Sequence, residues 1–302
     1  MILRECQYAL DYEIRHAYFV LPFHASFALK NQVVEIMNAE NPIGVFDSGV
    51  GGLSVLREIR RELPHEDLLY VADSGHAPYG DKPGHQIEER AVAISNFLVS
   101  QHAKAIVVAC NTATSAAVTT LRARFPIPIV AMEPAVKPAA AHTRSGVVGV
   151  LATSRTLGSA NFARLSARFG AGVNILMQAC PGLAEQVEAG DLAGDRTRTL
   201  LEKYVNPLLE QGADTLVLGC THYPFLAPLI HEIAGPSVAI IDPAAAVARE
   251  LRRRLAGSGL LSHKTRAGTE RFWSSGTLEQ ALPLITQLWQ TEINLQSLPQ
   301  EY

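Results

Sequence analysis

Cysteine is scarce in this sequence, and its pattern excludes more than it offers. Four cysteines (Cys6, Cys110, Cys180 and Cys220) in 302 residues form no disulfide framework. There is no CxxC and no paired Cys/His spacing of the zinc type, so neither a dithiol redox motif nor a metal site is expected. Long apolar runs are missing too, since none reaches the roughly 18 residues that a membrane helix needs. The apolar stretch 17–29 is broken by Pro22 and His24 and follows Glu5, Asp11 and Glu13, which makes a poor signal peptide. Excess positive charge is also absent. A net charge of −3 gives no electrostatic footprint for nucleic acid, and Arg252-Arg253-Arg254 lies near Glu250 as a solvated helical face. These absences point to a reducing, cytoplasmic setting, for a chain whose 48% hydrophobic content can bury one or two ordinary cores.

What is present is a duplication. Gln101-His-Ala-Lys-Ala-Ile-Val-Val-Ala-Cys110-Asn-Thr112 matches Gln211-Gly-Ala-Asp-Thr-Leu-Val-Leu-Gly-Cys220-Thr-His222. Ile43-Gly-Val-Phe-Asp-Ser48 matches Val148-Gly-Val-Leu-Ala-Thr153, and Val130-Ala-Met-Glu-Pro134 matches Ala239-Ile-Ile-Asp-Pro243. The offsets nearly agree: Gly44 to Gly149 is 105, Cys110 to Cys220 is 110, and Pro134 to Pro243 is 109. A period of that size is a domain and not a solenoid repeat.

From Ile43 short β-rich runs alternate with helical stretches. The pattern predicts strands at 43–46, 67–72, 105–109, 127–132, 147–151, 173–177, 215–218 and 238–241, with amphipathic helices such as 53–63, 87–102, 183–189 and 196–211 between them. After Asp242 it predicts helices and one more strand, folding back onto the first unit. The fold class is therefore α/β: two pseudo-symmetric, doubly wound domains with mainly parallel sheets and a site in the cleft between them. The expected division is an N-terminal extension at 1–42, a first domain from 43–134 and 243–302, and a second from 135–242. The extension lacks the alternation, and Met37 just before the first strand allows a start codon placed too far upstream.

Each copy of the cysteine pattern is a strand-length apolar run ending in a thiol and small polar residues, which is where an open α/β sheet places its ligand. Two thiols facing each other across a cleft suit a reaction needing an acid on one face of a substrate and a base on the other. A buried free cysteine alone is usually an inert small hydrophobe; duplication at strand ends argues otherwise. Asn111-Thr112 and Thr221-His222 supply donors, though Thr112 and Thr221 also suit helix caps, and a helix N-terminus beside each thiol would favour thiolate. Asp47-Ser48-Gly49-Val50-Gly51-Gly52 resembles a dinucleotide loop, but Ser54 occupies the third glycine's place. A small zwitterion fits better, with Asp47 on an ammonium and Ser48 with the turn amides on a carboxylate; an N-cap Asp with turn glycines is the plain alternative. In the loop after the second strand, Tyr79 and nearby amides can face the cleft.

Taken together, Gly44-Val-Phe-Asp-Ser-Gly-Val-Gly-Gly52, Pro78-Tyr-Gly80, Val108-Ala-Cys-Asn-Thr112, Glu133-Pro-Ala-Val-Lys137 and Leu218-Gly-Cys-Thr-His-Tyr-Pro224 resemble the glutamate racemases of the aspartate/glutamate racemase family. The likeness runs from about residue 43 to the 272–276 region. It implies interconversion of L- and D-glutamate without cofactor or metal, supplying D-glutamate for peptidoglycan. It implies that Cys110 exchanges a proton with D-glutamate and Cys220 with L-glutamate, with Asp47 and His222 assisting. Asp47, Ser48, Tyr79, Gly80, Asn111, Thr112, Thr221 and His222 fall on substrate-contact positions, and Glu188 matches an acid near the second thiol. Cys180 has no counterpart role and reads as structural. Homodimers are common in the family, and some members with N-terminal extensions are activated by UDP-N-acetylmuramoyl-alanine, which would place an activator at 1–42. The alternatives are a racemase for aspartate or another amino acid, a non-catalytic amino-acid-binding protein, and a thiol redox switch.

Overall fold

The computed structural model describes residues 38–302, so most of the expected extension lies outside the described residues. Strands β1 (Ile43–Asp47), β2 (Leu68–Ala72), β3 (Ala105–Val108) and β4 (Ile129–Ala131) belong to one sheet. Strands β5 (Val147–Ala152), β6 (Asn174–Ala179), β7 (Thr215–Leu218) and β8 (Ala239–Ile241) form a second. Their spatial orders are β2-β1-β3-β4 and β6-β5-β7-β8, so the sequence duplication is a duplication of topology, and every pairing is parallel. Order 2-1-3-4 reverses direction between its first and third strands, and the crevice above that reversal is where doubly wound sheets bind ligands. In the two sheets this crevice falls at the ends of β1 and β3, and of β5 and β7.

The strands read as unbroken apolar runs because helices cover both sheet faces. All residues of β1, β2 and β3 are buried. Helix α1 (Leu53–Glu62) lays Leu53, Val55, Leu56 and Ile59 on the sheet at helical spacing and ends with Arg60 and Arg61, cations at its negative pole. Helices α2 (Gly84–Ser100) and α3 (Asn111–Arg124) pack on the opposite side, their apolar residues joining Phe46, Val71 and Val108 in one cluster.

The chain leaves the first sheet through Met132–Val136 into α4 (Val136–His142) and the second sheet. It returns at Asp242-Pro243, entering α10 (Ala244–Gly257), which packs on α1. Both crossings are the duplicated acid-Pro positions. The returning segment supplies two strands and not the single one expected: β9 (Glu270–Ser274) pairs with β2, and β10 (Leu295–Ser297) with β9. β10 has three residues, of which Gln296 and Ser297 are exposed, so this edge strand shows no apolar pattern to read. Among the described residues, no helix is long and apolar enough to cross a membrane.

Candidate active site

Cys110 follows β3 and is the N-cap of α3; its Sγ accepts the Ala113 N–H at 3.4 Å and donates to Ser48 Oγ at 3.5 Å. A helix N-terminus alone would favour thiolate. Burial outweighs it here: desolvation, reinforced by the Asp47 charge, holds the Cys110 thiol well above its ordinary pKa despite the Ser48 and Ala113 hydrogen bonds. A charge on Cys220 would act in the same direction.

The Gly49–Gly52 loop is crowded by side chains from the half of the chain that carries the second sheet. A methyl group on Gly49 would lie 1.8 Å from Glu188 Oε1, and one on Gly51 would lie 2.4 Å from His222 Nδ1. Ser54, in the place of a third glycine, donates toward the Gly51 and Thr221 carbonyls at 2.8 and 3.0 Å. Asp47 is fully buried at the end of β1, accepting the Gly52 N–H at 2.8 Å and the Thr221 hydroxyl at 3.4 Å. Desolvation raises its carboxyl, helped by Glu188, while the His222 charge and the Gly52 and Ser48 amides oppose the rise.

Cys220 follows β7 and lies 3.6 Å from His222 Nδ1; His222 Nε2 is 2.6 Å from Glu188 Oε1, which also accepts the Val50 N–H at 2.8 Å. Glu188 ends α7 (Leu183–Glu188), so the acid, the histidine and the second thiol form one chain that reaches the glycine loop of the first sheet. Burial would lower the His222 pKa, but hydrogen bonds to Cys220 and Glu188 and their charges overcome it and carry the imidazole well above its ordinary value. One expectation fails at this end. Cys220 opens onto a 3₁₀ turn (Tyr223–Leu226) whose N-cap is His222, so Thr221 caps no α-helix and the partner beside this thiol is the His222 ring with its raised pKa. Cys180 is buried, donates to the Gln178 carbonyl at 3.3 Å and is pushed up by desolvation, as suits an inert thiol.

A pH prediction arises from the His222 pair. Its stabilisation is complete below about pH 6.5, the ordinary histidine value, and is lost as pH rises through the elevated native one. Glu188→Gln removes one of the supporting charges. The alkaline limb of the pH–kcat/KM profile is expected to move about one unit or more to lower pH. An unmoved limb would remove His222 from the ionisations that matter.

The remaining predicted residues converge unevenly. Asn111 is buried, and neither its amide nitrogen nor its oxygen has a partner among the described residues, as expected of a group aimed at a ligand. Thr112 Oγ1 lies 3.0 Å from Thr153 Oγ1 and 3.4 Å from Thr156 Oγ1, joining α3 to α5 (Ser154–Leu157) across the cleft. A methyl group on Gly80 would lie 3.6 Å from the Thr153 side chain. Tyr79 differs from expectation: its ring is buried and its hydroxyl is committed to Asp73, which leaves backbone as what this loop offers a ligand. Two cavities flank the cysteines without being lined by them. One of about 580 Å³ is bounded by Val50, Pro78, Glu185 and Glu188, and one of about 440 Å³ by Gly80, Ser115, Ser154 and Arg155. Thr153 and Thr156 were missed by sequence reasoning. The duplication held the signal for the first, because Ser48 and Thr153 are equivalent positions of the repeat.

This geometry agrees with likeness to known proteins. The Asp/Glu/hydantoin racemase family model matches residues 43–251. A glutamate racemase of Methylococcus capsulatus is 59% identical over 260 residues, covering 86% of this chain and 96% of its own. The crystal structure of glutamate racemase isoform RacE1 from Bacillus anthracis matches with a TM-score of 0.80 at 31% identity, over 87% of this chain and 99% of that one. Glutamate racemase of Escherichia coli, in complex with L-glutamate and the activator UDP-MurNAc-Ala, matches with a TM-score of 0.75 at 34% identity, over 85% and 98%. Its fold, its paired strand-end cysteines and these relatives together place the chain in the Asp/Glu/hydantoin racemase family, among the glutamate racemases.

Proposed function

We propose that the protein interconverts L- and D-glutamate by a two-thiol mechanism, supplying D-glutamate for peptidoglycan. The observation that carries the reading is the pair of buried cysteines at equivalent ends of β3 and β7, one held as a thiol and the other beside an imidazolium. Asp47 receives the substrate ammonium, while Ser48, the Gly80 backbone, Asn111, Thr112 and Thr221 take its carboxylates. The Cys220 thiolate removes the α-proton of L-glutamate on one face, and the Cys110 thiol delivers its proton to the other. Carbon inverts, and the two sulfurs exchange protonation states. An ordinary thiol is a modest base, so near-attack positioning and donors on the developing charge supply most of the barrier reduction. The thiols are only 5% and 7% exposed, so substrate reaches them by the two domains parting.

Optical activity provides the test. Circular dichroism of L- and D-glutamate is expected to decay to zero from either side, at least about tenfold faster than that of L- or D-aspartate, one methylene shorter. Faster decay of aspartate would transfer the activity to the sister substrate; glutamate binding without decay would leave a binding protein. By likeness to the Escherichia coli enzyme, the same assay with UDP-N-acetylmuramoyl-alanine is expected to show a higher rate when residues 1–42 are present. The active species is proposed to be a homodimer acting in the cytoplasm.

A further inference from the structure

Asp73 carries a fully buried carboxylate that the mechanism above does not use. It follows β2, and its N–H donates to the Asp47 carbonyl at 3.0 Å, so it sits directly beside the end of β1. Its Oδ1 accepts Arg90 Nη2 at 2.8 Å and Ser275 Oγ at 2.7 Å, with His76 Nδ1 at 3.0 Å. Its Oδ2 accepts Arg90 Nε at 3.0 Å and the Tyr79 hydroxyl at 2.5 Å. One side chain thus gathers α2, the segment after β9 and the Tyr79 loop. Arg90 is fixed in turn through Nη1 on the Tyr302 carbonyl, and the Tyr302 ring stands against Phe97 at 5.3 Å. The planar guanidinium grips both carboxylate oxygens, which a lysine ammonium cannot do.

Burying an ion pair of this kind is a weak source of stability, so its geometry asks for another explanation. The Tyr79 hydroxyl ends on Asp73, and the next residue, Gly80, is turned toward Thr153, which a methyl group placed on it would reach at 3.6 Å. We infer that Asp73, locked by Arg90, is a positioning residue that fixes Tyr79 and thereby the backbone N–H groups of the Tyr79–Gly80 loop that receive the glutamate carboxylate. This inference rests on the glutamate reading of the site. The carboxylate concerned is the one at the end of the glutamate side chain, which is remote from the carbanion and equally charged in ground and transition states, so its misplacement weakens binding uniformly and raises KM with kcat preserved.

The test measures kcat and KM for both enantiomers, with the thermal midpoint, in Arg90→Lys, Ser275→Ala and Tyr79→Phe. Arg90→Lys and Tyr79→Phe are expected to raise KM about tenfold with kcat within about threefold, and Ser275→Ala to raise it by a smaller factor. A group with a merely structural role would lower the midpoint and the amount of active enzyme while leaving KM alone, and that result overturns the inference. So does an unchanged KM in the two stronger variants. If the wild-type protein binds glutamate without racemising it, the calorimetric Kd takes the place of KM and the same weakening is expected. Failure of the positioning role and failure of the racemase reading are therefore read separately.

Discussion

Cys110→Ala is expected to lose racemisation by at least about 10³-fold, and by the same factor in both directions. The equality follows from the substrates: enantiomers are equal in energy, so forward and reverse kcat/KM must stay equal in any variant. The informative difference lies in isotope exchange. With Cys110 gone, Cys220 and its imidazolium partner remain on one face, so deuterium from solvent is expected to enter L-glutamate without inversion. Cys220→Ala reverses the pattern: only D-glutamate exchanges, and slowly, because burial and Asp47 hold the surviving thiol protonated. Proton NMR of the Cα–H signal and circular dichroism read the two processes separately. Full racemisation in either variant, or exchange into both enantiomers by both variants, would sink the two-thiol mechanism.

Much of this site was legible because its residues sit at strand ends fixed by a repeat. Cys110, Asn111 and Thr112 follow β3 as Cys220, Thr221 and His222 follow β7, and the apolar runs before them mark the strands. What the pattern could not supply was the partner of each group. Tyr79 reads from sequence as a residue facing the cleft, yet its hydroxyl meets Asp73, six residues earlier in the chain. The thiols look alike in sequence, but one caps a helix of full length and the other faces an imidazolium, a difference made by the helix after β3 and the 3₁₀ turn after β7. The 49–52 loop resembles an incomplete dinucleotide loop in sequence, and only the structure shows Glu188 and His222 brought against its glycines.

The same limit applies to the fold. Equivalent strands were found because parallel strands buried on both faces must be apolar throughout. The repeat also aligns Lys104 with Asp214, each one residue before its strand, and here sequence misleads by the opposite charges. Both tie the start of a strand to a preceding loop. Asp214 accepts the Arg144 and Ser145 N–H groups at 2.8 Å each and the Thr143 hydroxyl at 2.6 Å. Lys104 performs the equivalent task as a donor, to partners that are far away in sequence.

Lys104→Met is expected to be the most destabilising change away from the cleft. Lys104 is fully buried, and its Nζ donates to Glu66 Oε2 at 2.5 Å and to the Ala39 carbonyl. Glu66 is 2% exposed, and its other oxygen accepts the Ser262 N–H at 2.9 Å. Burial pulls the ammonium's pKa down, with Glu66 opposing, so each charge depends on the other to remain in the interior. Methionine fills the volume and leaves a carboxylate buried without its counter-ion, at a cost of about 3–5 kcal/mol. For a chain of this size that lowers the thermal midpoint on the order of 10 °C. Adding Glu66→Gln should recover most of the loss, because the amide oxygen still accepts the Ser262 N–H and no charge remains to be paired. Both residues stand before β2 and β3, at the opposite strand ends from Cys110, so kcat of the folded fraction is expected to stay within about twofold. A single variant as stable as its parent, or a double variant no better than the single, would show that the pair contributes nothing by its charges.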